Sequence, residues 1–217
     1  MIAVAPSLLS ANFAWLEQDL NHVNQSCATQ LHLDVMDGVF VPNISFGFPV
    51  LKHVARLSEK PLDVHLMIVD PLKFIREVKA LGAKYMNVHY EAISDPISVA
   101  REIRSAGMLP AITLKPATPV SVLSADMLQE FAMVLLMSVE PGFGGQKFIP
   151  ETLDKVRELR KRIAESGSSA LIEVDGGVNM QTGALLSEAG ADILVAGSAV
   201  FGAPEGIVNS VSELSNL

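Results

Sequence analysis

Short apolar runs alternate with helix-patterned stretches along this 217-residue chain, and this alternation limits the folds that it can adopt. Helical spacing of apolar residues occurs at 71–81, 97–106, 152–165 and 182–189, and several such stretches close with glycine, as helix ends often do. The strand-like runs lie at residues 2–9, 31–36, 62–68, 85–90, 109–114, 131–139, 170–174 and 193–200. Eight strands alternating with helices predict a (β/α)8 barrel.

No Ser/Gly linker, charge block or low-complexity tract divides the chain, so we expect one domain over residues 1–217. A doubly wound open sheet is the alternative. That fold is expected to carry a glycine fingerprint after its first strand, and residues 7–12 contain no glycine. The predicted fold class is therefore α/β, as a single-domain (β/α)8 TIM barrel.

Composition excludes several functional classes. No apolar run reaches the ~18 residues of a membrane span, because charged residues and histidines interrupt the strand-like segments. The formal net charge is −8, and no cluster of Lys and Arg suggests a nucleic-acid surface. The first residues have no basic region and are strand-like, so they do not indicate a secretion signal. Because Cys27 is the only cysteine, the sequence suits a reducing cytoplasm.

Alternate residues of a strand face opposite sides, and several predicted strands have one apolar and one polar side. In a barrel the apolar side packs against the helices, so the polar side faces the axis. The residues on this polar side are His32, Asp34 and Met36; Asp63, His65 and Met67; Asn87, His89 and Glu91; and Leu171, Glu173 and Asp175. The sequence therefore predicts that many ionisable groups converge inside the barrel.

Four of these groups have the composition of a metal site: His32, Asp34, His65 and Asp175. Two imidazoles and two carboxylates suit Zn²⁺, Fe²⁺, Mn²⁺ or Co²⁺. Buried charges need partners, so the alternative is a polar centre satisfied by internal hydrogen bonds and water. We interpret the neighbouring His89 as a hydrogen-bonding group of the barrel interior, and the alternative is a partner that holds one of the metal ligands.

Glycines mark the ends of the last three predicted strands. The loops after late barrel strands commonly hold phosphate through backbone N–H groups, and glycine lets an anion approach them. The sequence thus predicts a phosphate site built without Lys or Arg, while tight turns alone are the alternative explanation. The residues concerned are Gly142, Gly144, Gly145, Gly176, Gly177 and Gly197, with Ser198 beside the last.

Three methionines, Met36, Met67 and Met137, are predicted to point inward. Methionine usually fills cores, and the functional alternative is an apolar, water-poor lining around a reactive intermediate. Trp15 stands at helical spacing beside Leu16, and we expect it to pack against the protein.

Several motifs occur together in a specific order. They are APSLLSA at 5–11, HLDVMDG at 32–38, FVPN at 40–43, VHLM at 64–67, VEPGFGGQKF at 139–148, VDGG at 174–177 and GSA at 197–199. Their combination strongly resembles the ribulose-phosphate 3-epimerase family, and the resemblance runs over about residues 2–201.

The resemblance implies a barrel that interconverts D-ribulose 5-phosphate and D-xylulose 5-phosphate, a step of the pentose phosphate pathway, with one divalent metal ion. It implies that His32, Asp34, His65 and Asp175 are the metal ligands. Asp34 and Asp175 would also be the acid and base that move a proton at C3 through a cis-enediolate. We expect the chain to form a homo-oligomer. The implied substrate contacts are Ser7, Met36, His65, Met67, Met137, Gly142, Phe143, Gly144, Gly145, Asp175, Gly176, Gly177, Gly197 and Ser198.

Three other functions remain open at this point. An epimerase for allulose 6-phosphate would use the same catalytic set. A phosphate-binding barrel lyase or decarboxylase would share the glycine loops but needs a lysine at its centre, and only Lys115 is placed to offer one. A non-catalytic sugar-phosphate binder would have no use for an acid/base pair.

Overall fold

Eight parallel strands form the centre of a computed structural model that describes residues 1–217. Each strand pairs with the next along the chain from β2 to β8, and β8 pairs with β1. An isolated bridge between Ser7 and His32 links β1 to β2, so the barrel is nearly closed. The strands are β1 (Ala3–Pro6), β2 (Leu31–Met36), β3 (Leu62–Met67), β4 (Tyr85–His89), β5 (Leu109–Leu114), β6 (Met133–Met137), β7 (Leu171–Asp175) and β8 (Ile193–Ala196). The predicted single-domain (β/α)8 TIM barrel is confirmed, and the open sheet is excluded.

Helices follow the strands around the outside. The side chain of Asn179 caps α7 by accepting from the N–H of Gln181 and Thr182, and Gly190 ends it at a φ of 107°. None of the helices is long and apolar enough to span a bilayer. The helices are α1 (Leu16–Gln25), α2 (Phe48–Leu57), α3 (Ile75–Ala80), α4 (Pro96–Ser105), α5 (Ala125–Glu130), α6 (Thr152–Ser166), α7 (Met180–Ala189), α8 (Ser198–Phe201) and α9 (Ile207–Ser215).

The two faces of the strands separate as the alternation predicts. Outward residues such as Leu33 and Val64 belong to one large apolar cluster with the helix residues Leu20 and Leu51. On the inward face, Tyr85, Met133 and other apolar side chains form a separate cluster, and both of these residues begin their strands. The polar inward residues therefore lie above an apolar plug, towards the carboxyl ends of the strands.

The helix predicted at 71–81 is interrupted. Residues Pro71–Phe74 form a tight 3₁₀ turn, and the α-helix begins only at Ile75. Phe74 takes φ and ψ of −106° and 9°, and its ring stacks on Phe48 with the centroids 5.6 Å apart. Packing between α2 and this turn thus overrides the helical periodicity of the segment.

The packing predicted for Trp15 is wrong. Phe13–Trp15 forms a short 3₁₀ turn before α1, so the side chain does not join the buried face of that helix. The residue is 64% exposed. The apolar spacing that suggested burial crosses a boundary between two elements, where helical periodicity carries no information.

Candidate active site and metal centre

The four predicted metal ligands come together near the carboxyl ends of three strands. His32 and Asp34 lie on β2, His65 on β3, and Asp175 is the last residue of β7. One donor atom from each lies within 4.8 Å of the others. His32, Asp34 and His65 are buried, and Asp175 is partly exposed. The two carboxylates are therefore close enough to contact one small ligand.

The atoms of this cluster meet at short distances. His65 Nδ1 and His32 Nε2 lie 3.2 and 3.3 Å from Asp34 Oδ1, and the two ring nitrogens are 3.3 Å apart. Two imidazole lone pairs facing each other at this distance repel unless a proton or a cation lies between them. Together with two carboxylates, this donor set could hold a metal ion and fits a borderline divalent cation.

Each side chain of the cluster is held from outside by another group. His32 Nδ1 is 2.6 Å from Asp63 Oδ2, and His65 Nε2 is 2.9 Å from His89 Nε2. The hydroxyl of Ser7 donates to Asp34 Oδ2 at 2.7 Å. These contacts leave His32 Nε2 and His65 Nδ1 facing the cluster, as a metal site requires.

Ser7 was predicted to contact substrate. In the structure its side chain joins β1 to β2 through Asp34, and it also lines the cavity above the cluster. His89 contacts both Glu91 and the candidate ligand His65, so the structure favours the alternative interpretation of His89 as a partner that holds a metal ligand.

The two aspartates differ in proton affinity. Burial alone would raise the pKa of Asp34, but His32 and His65 beside it lower that pKa well below its usual value. Removal from bulk water and the negative charge of Asp34 raise the pKa of Asp175 to about 7. Burial would lower the pKa of His32, yet the carboxylates of Asp34 and Asp63 raise it well above normal. At neutral pH one carboxylate is therefore ionised while the other can carry a proton.

A cavity of about 490 Å³ opens above the cluster. All of the predicted substrate contacts line it except His65, which is fully buried below. Lys115 is not among the lining residues, and its Nζ lies 3.9 Å from the ring centroid of Phe40. The predicted residues that line the cavity are Ser7, Asp34, Met36, Met67, Met137, Gly142, Phe143, Gly144, Gly145, Asp175, Gly176, Gly177, Gly197 and Ser198.

The glycines that line this cavity differ in the structural reason for having no side chain. At Gly176 φ is 121°, and a Cβ would come within 2.5 Å of Val139. At Gly177 φ is 62°, and a Cβ would lie 2.7 Å from the backbone nitrogen of Phe148. A Cβ on Gly145 would meet nothing within 4 Å. Close packing thus accounts for the first two, whereas Gly145 is at a positive φ of 72° with open space beside it.

Sequence reasoning missed several residues of the site. Ser10 and Lys147 line the cavity, so a basic side chain is present at a rim for which none was predicted. Gln30, Asp63 and Glu173 form a buried polar group beneath the cluster. Asp63 and Glu173 were predicted to face inward without an assigned role. Gln30 was missed, although it stands two residues before His32 and the period of two could have identified it.

Comparison with known proteins finds one family over most of the chain. The model described as the ribulose-phosphate 3 epimerase family matches residues 3–201. A ribulose-phosphate 3-epimerase of Bacillus subtilis is 46% identical over 203 residues, covering 93% of this chain and 93% of the relative. Those of Mycobacterium tuberculosis and Escherichia coli are 46% and 43% identical, cover 93% of this chain, and are themselves covered to 87% and 90%.

Solved structures with low sequence identity share the fold. A mutant tryptophan synthase α-subunit from Pyrococcus furiosus superposes with a TM-score of 0.72 at 20% identity, covering 100% of both chains. Orotidine 5'-phosphate decarboxylase from Pyrococcus horikoshii gives 0.68 at 15% identity, covering 98% of this chain and 97% of its own. At such identities the likeness concerns the barrel alone.

Proposed function

The chain belongs to the ribulose-phosphate 3-epimerase family, and from this we propose that it interconverts D-ribulose 5-phosphate and D-xylulose 5-phosphate with Asp34 and Asp175 as base and acid. Epimerase activity follows from a family match over residues 3–201 and from relatives at 43–46% identity. The roles of individual residues are our assignment.

One observation carries this assignment. Two carboxylates lie within 4.8 Å of each other at the cavity floor, and their pKa values are displaced in opposite directions. Pairs of titratable groups whose pKa values are shifted in opposite directions are typical of acid/base sites. A simple sugar-phosphate binder would not need them.

The chemistry of epimerisation explains why two groups are needed. Inverting C3 beside the C2 ketone requires removal of a proton from one face and its return on the other. The ionised Asp34 takes the C3 proton, which leaves a planar cis-enediolate, and the protonated Asp175 donates a proton to the opposite face. In the reverse direction the two residues exchange roles.

We assign His32, Asp34, His65 and Asp175 as the residues that would hold one divalent cation. The donor set of two imidazoles and two carboxylates favours Zn²⁺, Fe²⁺, Mn²⁺ or Co²⁺ over Mg²⁺. The chemistry such a cation supplies when bound is electrostatic stabilisation of the negative charge that develops on the substrate oxygens.

The rest of the cavity would bind and enclose the substrate. The loops containing Gly144, Gly145 and Gly197 are assigned to the phosphate, with Lys147 nearby as an additional positive charge. The side chains of Met36, Met67 and Met137 line the same cavity, and their thioethers would keep water from the enediolate.

A comparison of substrates distinguishes this proposal from the alternative of an allulose 6-phosphate epimerase. We expect ribulose 5-phosphate to be turned over with a kcat/KM about 10- to 200-fold higher than allulose 6-phosphate, because the site must accommodate one additional carbon with its hydroxyl. Coupled detection of xylulose 5-phosphate measures the first reaction. The reverse preference would assign the chain to the six-carbon sugar, and tight binding of both sugars without turnover would contradict an epimerase.

We also propose that the chain forms a homo-oligomer. Phe13, Trp15, Val39 and Ile44 are large apolar residues that are each more than half exposed, at 52%, 64%, 73% and 75%. Contiguous apolar patches are typical of association surfaces. Val39 and Ile44 lie in the connection between β2 and α2, and Phe13 contacts Phe46 of the same connection with the ring centroids 5.7 Å apart. Light scattering on protein eluted from a size-exclusion column is expected to give the mass of two or more chains. The mass of one chain at micromolar concentration would contradict the proposal.

A further inference from the structure

A polar layer lies directly beneath the candidate metal centre, and the proposed reaction leaves it without a role. Gln30, Asp63 and Glu173 are buried, with exposures of 3%, 0% and 0%. They come from distant parts of the chain, since Gln30 precedes β2, Asp63 lies on β3 and Glu173 on β7. The two buried carboxyl groups and the buried carboxamide all need hydrogen-bond partners.

Two hydrogen-bonded pairs make up this layer, and one of them includes His32. Gln30 Nε2 donates to Glu173 Oε1 at 2.9 Å, and His32 Nδ1 is 2.6 Å from Asp63 Oδ2. Two carboxyl oxygens have no partner, Glu173 Oε2 and Asp63 Oδ1. One oxygen of Glu173, one of Asp63 and a ring nitrogen of His32 lie within 4.8 Å of one another. A single O–H···O hydrogen bond between the two carboxyl groups would satisfy both unpartnered atoms.

We propose that Glu173 is a positioning residue, held by Gln30, that fixes Asp63 and through it the ring of His32. With Nδ1–H donating to Asp63, the ring presents Nε2 to Asp34 Oδ1 and His65 Nδ1, both 3.3 Å away. This inference rests on the proposed function only where it treats His32 as a metal ligand. Partners of this kind set the orientation and tautomer of ligating histidines.

Two substitutions at Glu173 separate hydrogen bonding from charge. Glu173→Gln keeps an acceptor for Gln30 and supplies an N–H donor for Asp63 Oδ1, whereas Glu173→Leu removes both. We expect Glu173→Leu to weaken Co²⁺ binding about 10- to 100-fold and Glu173→Gln to bind Co²⁺ close to wild type. Titration of the metal-free protein, followed by the visible spectrum of bound Co²⁺, measures the affinity and the number of ions per chain.

A second measurement does not depend on metal or on activity. In ¹⁵N-histidine-labelled, metal-free protein, we expect the Nδ1–H proton of His32 to be shifted downfield and protected from solvent exchange. Glu173→Gln should preserve this signal, and Glu173→Leu should lose the protection. If Glu173→Leu does not fold, Gln30→Leu provides a milder change that removes only the hydrogen bond to Glu173.

The matched control is Thr113→Val. Thr113 Oγ1 donates to Asn87 Oδ1 at 2.6 Å, and this pair is as buried as Glu173 but forms no hydrogen bond with His32. The variant should lose thermal stability while its Co²⁺ affinity and its His32 proton signal stay unchanged. If Thr113→Val lost Co²⁺ affinity to a similar extent, the effect of Glu173→Leu would be explained by general destabilisation, and the proposal would be overturned.

Three other results would also overturn it. The first is that Glu173→Leu keeps the wild-type Co²⁺ affinity and an unchanged His32 proton signal. The second is that Glu173→Gln and Glu173→Leu weaken Co²⁺ binding equally. The third is that the wild-type protein binds two Co²⁺ ions per chain. The last two would assign Glu173 to a second cation site instead. If wild-type protein binds no Co²⁺ or does not epimerise ribulose 5-phosphate, the proposed function fails, and the proton signal of His32 still decides the positioning role.

Discussion

Asp175→Asn is expected to lower kcat at least about 100-fold, because an amide cannot give or take the proton that inverts C3. Asparagine has nearly the shape of aspartate, so the cavity and β7 should be retained. The measurement is steady-state turnover of ribulose 5-phosphate at saturating substrate. A near-normal kcat would refute the scheme with two carboxylates.

Isotope exchange in D₂O makes this prediction specific to the role of Asp175. With Asp34 still present, the variant can remove the C3 proton and return a deuteron to the same face. Recovered ribulose 5-phosphate should therefore acquire deuterium at C3 faster than xylulose 5-phosphate forms. Absence of exchange together with lost turnover would mean that Asp175 is needed already for deprotonation, for instance through metal binding.

The control for this experiment is Asp154→Asn. Asp154 lies on α6 with 85% of its side chain exposed and pairs with Arg157 at 2.8 Å. Surface ion pairs of this type contribute little to stability. The same chemical change should therefore leave kcat unaltered, so that any loss in Asp175→Asn reflects the position of the carboxylate.

The sequence predicts the inward face of the barrel well because a strand has a side-chain period of two. His32 and Asp34, two residues apart, necessarily face the same side of β2, and register then brings Asp34 opposite His65 on β3. Parallel pairing of successive strands follows from the order of the elements. These local and topological rules account for the meeting of His32, Asp34 and His65, three of the four candidate metal ligands.

Contacts across the barrel axis are not determined by such rules. Gln30 and Glu173 are 143 residues apart and meet only because the barrel closes with a particular stagger between its strands. The period of two predicts that Glu173 faces inward, but it does not predict the position of Glu173 along the barrel axis relative to Gln30. Asp63 and Glu173 stand on a predicted inward face, but Gln30 lies outside the predicted strand, and no rule of spacing brings it to Glu173.

The geometry of the glycine-containing loops could not be predicted for a different reason. The sequence analysis assigned Gly176 and Gly177 to a phosphate site, with tight turns as the alternative. Both take a positive φ, and their neighbours Val139 and Phe148 come from the preceding β6–α6 connection. A glycine required by packing and one that admits a ligand look alike in sequence. Only the contacts distinguish them.

Removing divalent metal with a chelator is expected to lower turnover of ribulose 5-phosphate at least about 100-fold, and returning metal should restore it. A bound cation contributes several kcal/mol of charge stabilisation, and each 1.4 kcal/mol corresponds to about tenfold in rate. The four donors His32, Asp34, His65 and Asp175 include two imidazoles, so Zn²⁺, Mn²⁺, Co²⁺ or Fe²⁺ should restore more activity than Mg²⁺. Circular dichroism before and after chelation checks that the barrel remains folded. Protein shown by elemental analysis to be metal-free, yet turning over at an unchanged rate, would remove the cation from the mechanism and leave the carboxylate pair to act alone.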